Sequence, residues 1–108
     1  MNGRFGLRLV GLLFFAAALA GCATPPENPA LVEARLLFAA LLSQPQSVTL
    51  TATQTHAAFE PLAQADLLSN KDRCDPRIDA LSRLARQRVA VAQLIIAESE
   101  SAAASMRP

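Results

Sequence analysis

Two dipeptides, Asn28-Pro29 and Asp75-Pro76, constrain the fold of this chain more than any other feature. An Asn or Asp side chain can accept a hydrogen bond from a free backbone N–H in the first turn of a helix. Proline at the first helical position has no N–H to leave unsatisfied, and its φ is already near the helical value. Each pair therefore reads as a helix start. Behind the first, Leu31, Ala34, Phe38, Leu41 and Leu42 recur at helical spacing, with Glu33 and Arg35 off that stripe. A residue before proline is pushed out of the α region, so this helix is expected to end at Gln44-Pro45-Gln46. Behind the second pair the longest helix is expected over 77–105, about 40 Å at 1.5 Å per residue. Its stripe reads Ile78, Leu81, Leu84 or Ala85, Val91 or Ala92, and Ile95, with Ala102 beyond. The other face is basic early, at Arg77, Arg83 and Arg86, and acidic later, at Glu98 and Glu100.

The segment between these helices is less regular. From Ser47 to Thr53, Val48, Leu50 and Ala52 alternate with threonines, a period of two that suits a strand. A lone strand would have no partner, so the segment reads as a connection into a second helix. Thr51-Ala52-Thr53-Gln54 fits a capping box at its start. Ala52, Thr55, Phe59, Leu62 and Asp66 share one face, flanked by Ala58, Ala65 and Leu68. Pro61 removes the hydrogen bond to the Ala57 carbonyl, which predicts a kink. Residues 69–74, Ser-Asn-Lys-Asp-Arg-Cys, read as a polar loop. The expected fold is all-α, an elongated antiparallel three-helix bundle.

The first 21 residues have a different character. Arg4 and Arg8 precede the uncharged apolar run from Leu9 to Ala20, the layout of a secretory signal peptide. The run is shorter than the roughly 20 residues needed to cross a bilayer as a helix. Its ending, Leu19-Ala20-Gly21-Cys22, resembles the lipobox of bacterial lipoproteins. That resemblance implies cleavage between Gly21 and Cys22 and a diacylglycerol on the Cys22 thiol, followed by acylation of the new amine. Several acyl chains hold a protein firmly to a membrane, where one holds it marginally. Ala23 follows the cysteine, and the resemblance then favours the outer membrane, with the body in the periplasm. The organisation is a signal peptide at 1–21, a lipidated cysteine and flexible Pro-rich tether at 22–28, and a helical domain at 29–108.

Removing the leader changes the balance of charge. Without Arg4 and Arg8, eight basic side chains face nine acidic ones, which gives no electrostatic case for nucleic acid. Phe38 and Phe59 are the aromatic residues outside the leader, so Leu, Ala, Val and Ile must build the core. Cys74 would be the remaining thiol in an oxidising compartment, and it is a candidate for an intermolecular disulfide and hence a homo-oligomer. His56 stands alone, without neighbours at metal-ligand spacing. Asp72, Asp75 and Asp79 lack calcium-loop spacing and its closing Glu. Arg83, Arg86 and Arg88 are candidates for contact with phosphate headgroups or another polyanion, against the plainer reading of a solvated helix face. No nucleophile elbow, phosphate loop or carboxylate pair is visible. The expectation is a non-enzymatic protein without cofactor or metal, attached to a membrane by its N-terminal lipid and working through an envelope protein partner. Inhibition or support of an envelope enzyme or transporter is the alternative.

The stretch Ile78-Asp79-Ala80-Leu81-Ser82-Arg83-Leu84-Ala85-Arg86-Gln87-Arg88-Val89-Ala90-Val91-Ala92-Gln93 resembles the Leu-Ala-x-Gln-Arg-Val-Ala-x-Ala-Gln segment of the domain-of-unknown-function 4398 family. The run from Asn28 to Arg35 is similar to that family's opening helix. The resemblance implies a helical module of bacterial envelope lipoproteins, often placed before an OmpA-like peptidoglycan-binding domain. Pro61 departs from the family's unbroken Ala-rich helix. The sequence reaches Pro108 without the OmpA-like domain, so wall binding is not carried over.

Overall fold

The computed structural model describes residues 25–107. The expected signal peptide, its cleavage at Gly21–Cys22 and the Cys22 lipid site lie outside the described residues, as do tether residues 23 and 24. The described chain is all-helical: α1 (Pro29–Leu42), α2 (Gln46–Thr49), α3 (Ala52–Lys71) and α4 (Arg77–Ser105). Among the described residues no helix is long and apolar enough to cross a membrane.

Both Asx-Pro starts form as their chemistry predicts. Asn28 Oδ1 accepts from the Ala30 N–H at 2.8 Å, with Pro29 opening α1. Asp75 Oδ1 accepts from the Arg77 N–H at 2.9 Å, the same spacing across Pro76. Asn28 also donates through Nδ2 to Asp79 Oδ1 at 2.9 Å, which fastens the start of α1 to the first turn of α4. The described end of the expected tether is tied down as well. Arg73 Nη1 donates to the Pro25 carbonyl at 2.9 Å, and Arg35 reaches Glu27 at 2.8 Å.

Three local expectations are corrected. The connection after Pro45 is not strand-like but holds the one-turn helix α2, making four helices rather than three. Val48 and Leu50 stay exposed while Ser47 and Thr51 are buried. Thr51 does precede α3, yet no capping box forms. Its hydroxyl is folded inward, donating to the Gln46 carbonyl at 3.4 Å and lying 3.3 Å from the Thr55 hydroxyl. Closing the α2 turn outcompetes capping the next helix. The loop expected at 69–74 also starts later, because α3 runs to Lys71 with Ser69 buried.

The core is one seam in two parts, each drawing on all three long helices. One part joins Leu31 and Ala34 of α1, Leu62 and Ala65 of α3, and Ile78 and Ala85 of α4. The other joins Leu41, Ala58, Val89, Ala92 and Ile96, with Phe38 packed against both parts. Buried positions on α4 are Ile78, Ser82, Ala85, Val89, Ala92 and Ile96, a strict four-three alternation. Alternation of this kind keeps a helix face against its neighbours in knobs-into-holes packing. The stripe expected on α1 holds at Leu31, Ala34, Phe38 and Leu41, and on α4 at Ile78, Ala85 and Ala92, while its other members and the face of α3 are shifted. Leu42, Phe59 and Val91 are exposed, and the flanking Ala58 and Ala65 are the buried face of α3. Small residues win the inside because they let helix backbones approach closely while Leu and Ile fill the layers between.

Pro61 lies inside α3 and is buried. Its missing N–H frees the Ala57 carbonyl, and Arg88 Nη1 of α4 donates to that oxygen at 2.8 Å. The break in the helix ladder is thus satisfied across the bundle.

Candidate interaction surface

The structure separates the three arginines singled out from sequence. Arg88 turns toward α3 and is occupied by the Ala57 carbonyl. Its guanidinium closes the hydrogen bond that Pro61 leaves open, a structural task the sequence did not show. Arg83 and Arg86 share another side of α4, where Arg83 pairs with Asp79 at 3.3 Å and Arg86 with Glu33 of α1 at 3.2 Å. Such exposed pairs contribute about 0–1 kcal/mol and are readily exchanged for other partners.

The other candidates stay apart. Cys74 is exposed in the turn before α4, its N–H donating to Asp72 Oδ1 at 2.9 Å. His56 Nε2 lies 3.5 Å from Glu60 Oε1 on an exposed face of α3. Among the described residues no three His, Cys, Asp or Glu side chains gather as a metal site would require. Asp75 is the most perturbed acid. Hydrogen bonds from the Arg77 side chain and backbone hold its carboxyl down to about 2. Arg35 carries the opposite effect: partial burial opposes its charge, yet hydrogen bonds to Asp66 and Glu27 raise its pKa above the ordinary guanidinium value.

The sequence reading missed the outward apolar faces. In α1 the charged residues are Glu33 and Arg35, so the helix is apolar nearly all round. In a small bundle one side of such a helix must face water, and Leu36 is 67% exposed. Beside it runs a groove between α1 and α4, with Leu37 and Ala40 on one wall, Ala90, Leu94 and Ala97 on the other, and Val89 at its floor. The groove encloses about 390 Å³, and Leu94 on its rim is 63% exposed. Arg86 and Gln93 supply its polar edge, and Gln93 Oε1 accepts from Gln44 Nε2 at 2.7 Å. A second depression of about 570 Å³ lies between α3 and α4, with Leu67, Leu68 and Leu81 as its apolar lining and Lys71 and Arg77 as its cations. The signal for these faces was present in α1, where apolar residues outnumber what one buried stripe can use.

The chemistry on offer is apolar contact framed by exchangeable charge, which suits docking of another macromolecule. Compared with family models, curated proteins and solved structures, the chain gave no match.

Proposed function

We propose that this chain is an outer-membrane lipoprotein, anchored through Cys22, whose helical body is a non-enzymatic structural or interaction module facing the periplasm. The observation that carries the reading is the basic, then apolar leader closing on Leu19-Ala20-Gly21-Cys22. The similarity of 78–93 to the domain-of-unknown-function 4398 family points the same way, toward an envelope module built as an up-down-up three-helix bundle with α2 as an accessory turn. The exposed apolar side chains Leu36, Leu37 and Leu94 in and beside the α1/α4 groove support a role in contact rather than isolation.

Labelling with radioactive palmitate tests the anchor. Cells expressing the chain are expected to yield a labelled band in the outer-membrane fraction, and Cys22→Ala is expected to lose both the label and the membrane association. A soluble, unlabelled wild-type protein overturns the proposal. The groove between α3 and α4, with Lys71 and Arg77 at its rim, favours a second reading, an inhibitor or accessory subunit seated on an envelope enzyme or transporter. Photocrosslinking from Leu67 in intact cells separates the two: one stoichiometric foreign partner supports the second reading.

A further inference from the structure

The outward side of α4 repeats the spacing of its buried side. Arg83, Gln87, Ala90, Leu94, Ala97 and Ser101 follow a four-three-four-three-four alternation, and it reads the same in both directions about residue 92. A face with that symmetry can meet a copy of itself antiparallel about a two-fold axis: Ala90 falls opposite the partner's Leu94, Gln87 opposite the partner's Ala97, and Arg83 opposite the partner's Ser101. Charge is arranged to match. Arg83 and Arg86 lie at one end of the face and Glu98 and Glu100 at the other, so the antiparallel arrangement sets the basic end of each copy beside the acidic end of its mate. A parallel arrangement would set like charge against like. Glu98 makes no ion pair among the described residues.

The last buried residue of α4 is Ile96, and every residue from Ala97 to Ser105 is exposed. About 13 Å of helix, at 1.5 Å per residue, therefore carries no buried residue, touching its own bundle only at its start, where Ala97 lines the groove and Glu100 accepts from Gln46 Nε2 at 3.5 Å. We propose that a second copy of this chain covers this face, its α4 packed antiparallel along the α1/α4 groove about a two-fold axis beside residue 92. The arrangement is isologous and closed. It seats the partner's Leu94 between Leu37 and Ala90 and lays each overhanging end beside the partner's Arg83. It deepens the interaction-module reading by naming the partner, and it does not depend on lipid at Cys22. The register holds the two Ile78 residues about 40 Å apart along the helices, so the Cys74 thiols lie far from each other. A Cys74 disulfide would belong to a different dimer.

The test uses the full chain as produced in cells, extracted in mild detergent, in a Cys74→Ser background. Sedimentation is expected to give twice the single-chain mass, and Leu94→Glu is expected to halve it with the helical circular dichroism unchanged. Under copper-phenanthroline oxidation, the Arg83→Cys/Ser101→Cys double variant is expected to yield a covalent dimer, with each single variant giving no more than the Cys74→Ser parent. A single-chain mass for the parent overturns the inference, as does a mass that Leu94→Glu leaves unchanged. Bridging by the single variants, or a dimer that the double variant does not bridge, overturns the antiparallel register. None of these results bears on palmitate labelling, so loss of the dimer leaves the anchor proposal standing.

Discussion

The two sides of α4 make the most instructive comparison in this molecule. The buried side runs Ile78, Ser82, Ala85, Val89, Ala92, Ile96, and the outward side runs Arg83, Gln87, Ala90, Leu94, Ala97, Ser101. Both have the same helical spacing, and the middle of the outward side, Ala90, Leu94 and Ala97, is apolar like the buried one. Ser82 is fully buried with its hydroxyl unpartnered, while Leu94 stands mostly in water. Hydropathy alone does not decide burial here. Ala34, Ala65 and Ala85 allow three backbones to converge, and Leu31, Leu62 and Ile78 fill the intervening layer.

The sharpest way to break this comparison is to truncate both sides equally. Ile78→Ala is expected to cost about 2–5 kcal/mol, because it opens a cavity in a closed layer. Leu94→Ala is expected to change the stability of the single chain by no more than about 0.5 kcal/mol. Urea unfolding of the two variants measures the contrast, and similar losses would mean that the outer face is packed in the free chain.

Next in size is the crossing between α3 and α4. Arg88→Met is expected to cost about 1.5–3 kcal/mol by orphaning the Ala57 carbonyl. In a Pro61→Ala background the restored N–H returns to that carbonyl, and the same Arg88 substitution is expected to lose most of its effect. A double-mutant cycle reads the coupling directly. Additive costs would show that Arg88 matters for packing alone.

Enlarging the small side comes third. Ala85→Leu is expected to destabilise by about 1–3 kcal/mol through overpacking, whereas Ala90→Leu on the outer side is expected to be near neutral in the single chain. Thermal melts at matched concentration compare them. Smaller still, Ser82→Ala is expected to stabilise by up to about 1 kcal/mol, since it removes a buried hydroxyl that makes no hydrogen bond. A loss of stability there would reveal a partner for that oxygen.

The smallest effect concerns pH at the start of α4. Asp75 has a carboxyl held down to about 2, below the ordinary aspartate range. A depressed folded-state pKa stabilises the protein above the unfolded value, and that contribution fades as pH falls from about 4 toward 2. Asp75→Asn is expected to flatten the stability profile across that window, read by acid titration of the helical signal. An unchanged slope would place the acid sensitivity elsewhere.

Much of the helix plan was legible in the sequence. Asn28-Pro29 and Asp75-Pro76 marked two helix starts, since their capping hydrogen bonds are local and need nothing from the rest of the chain. The 77–105 span matched α4 for the same reason. The α2 turn and the inward fold of Thr51 were not legible, because local alternation of Val and Thr says nothing about which hydroxyls the bundle will bury. Nor was the division of the arginines. Arg83, Arg86 and Arg88 look alike in sequence, and the place of Pro61 on a neighbouring helix gives Arg88 its separate task. The interaction surface was half legible, in an α1 too apolar for one buried stripe, but its walls depend on how α1 lies beside α4.

By itself the sequence determined where α1 and α4 begin, how far α4 runs and that the body is all-helical, because capping, proline stereochemistry and period are properties of neighbouring residues. Tertiary structure decided which face of α3 is inside and which of the apolar faces of α4. Several faces were apolar enough to be buried, and the choice fell to the one whose small side chains let three backbones come close together.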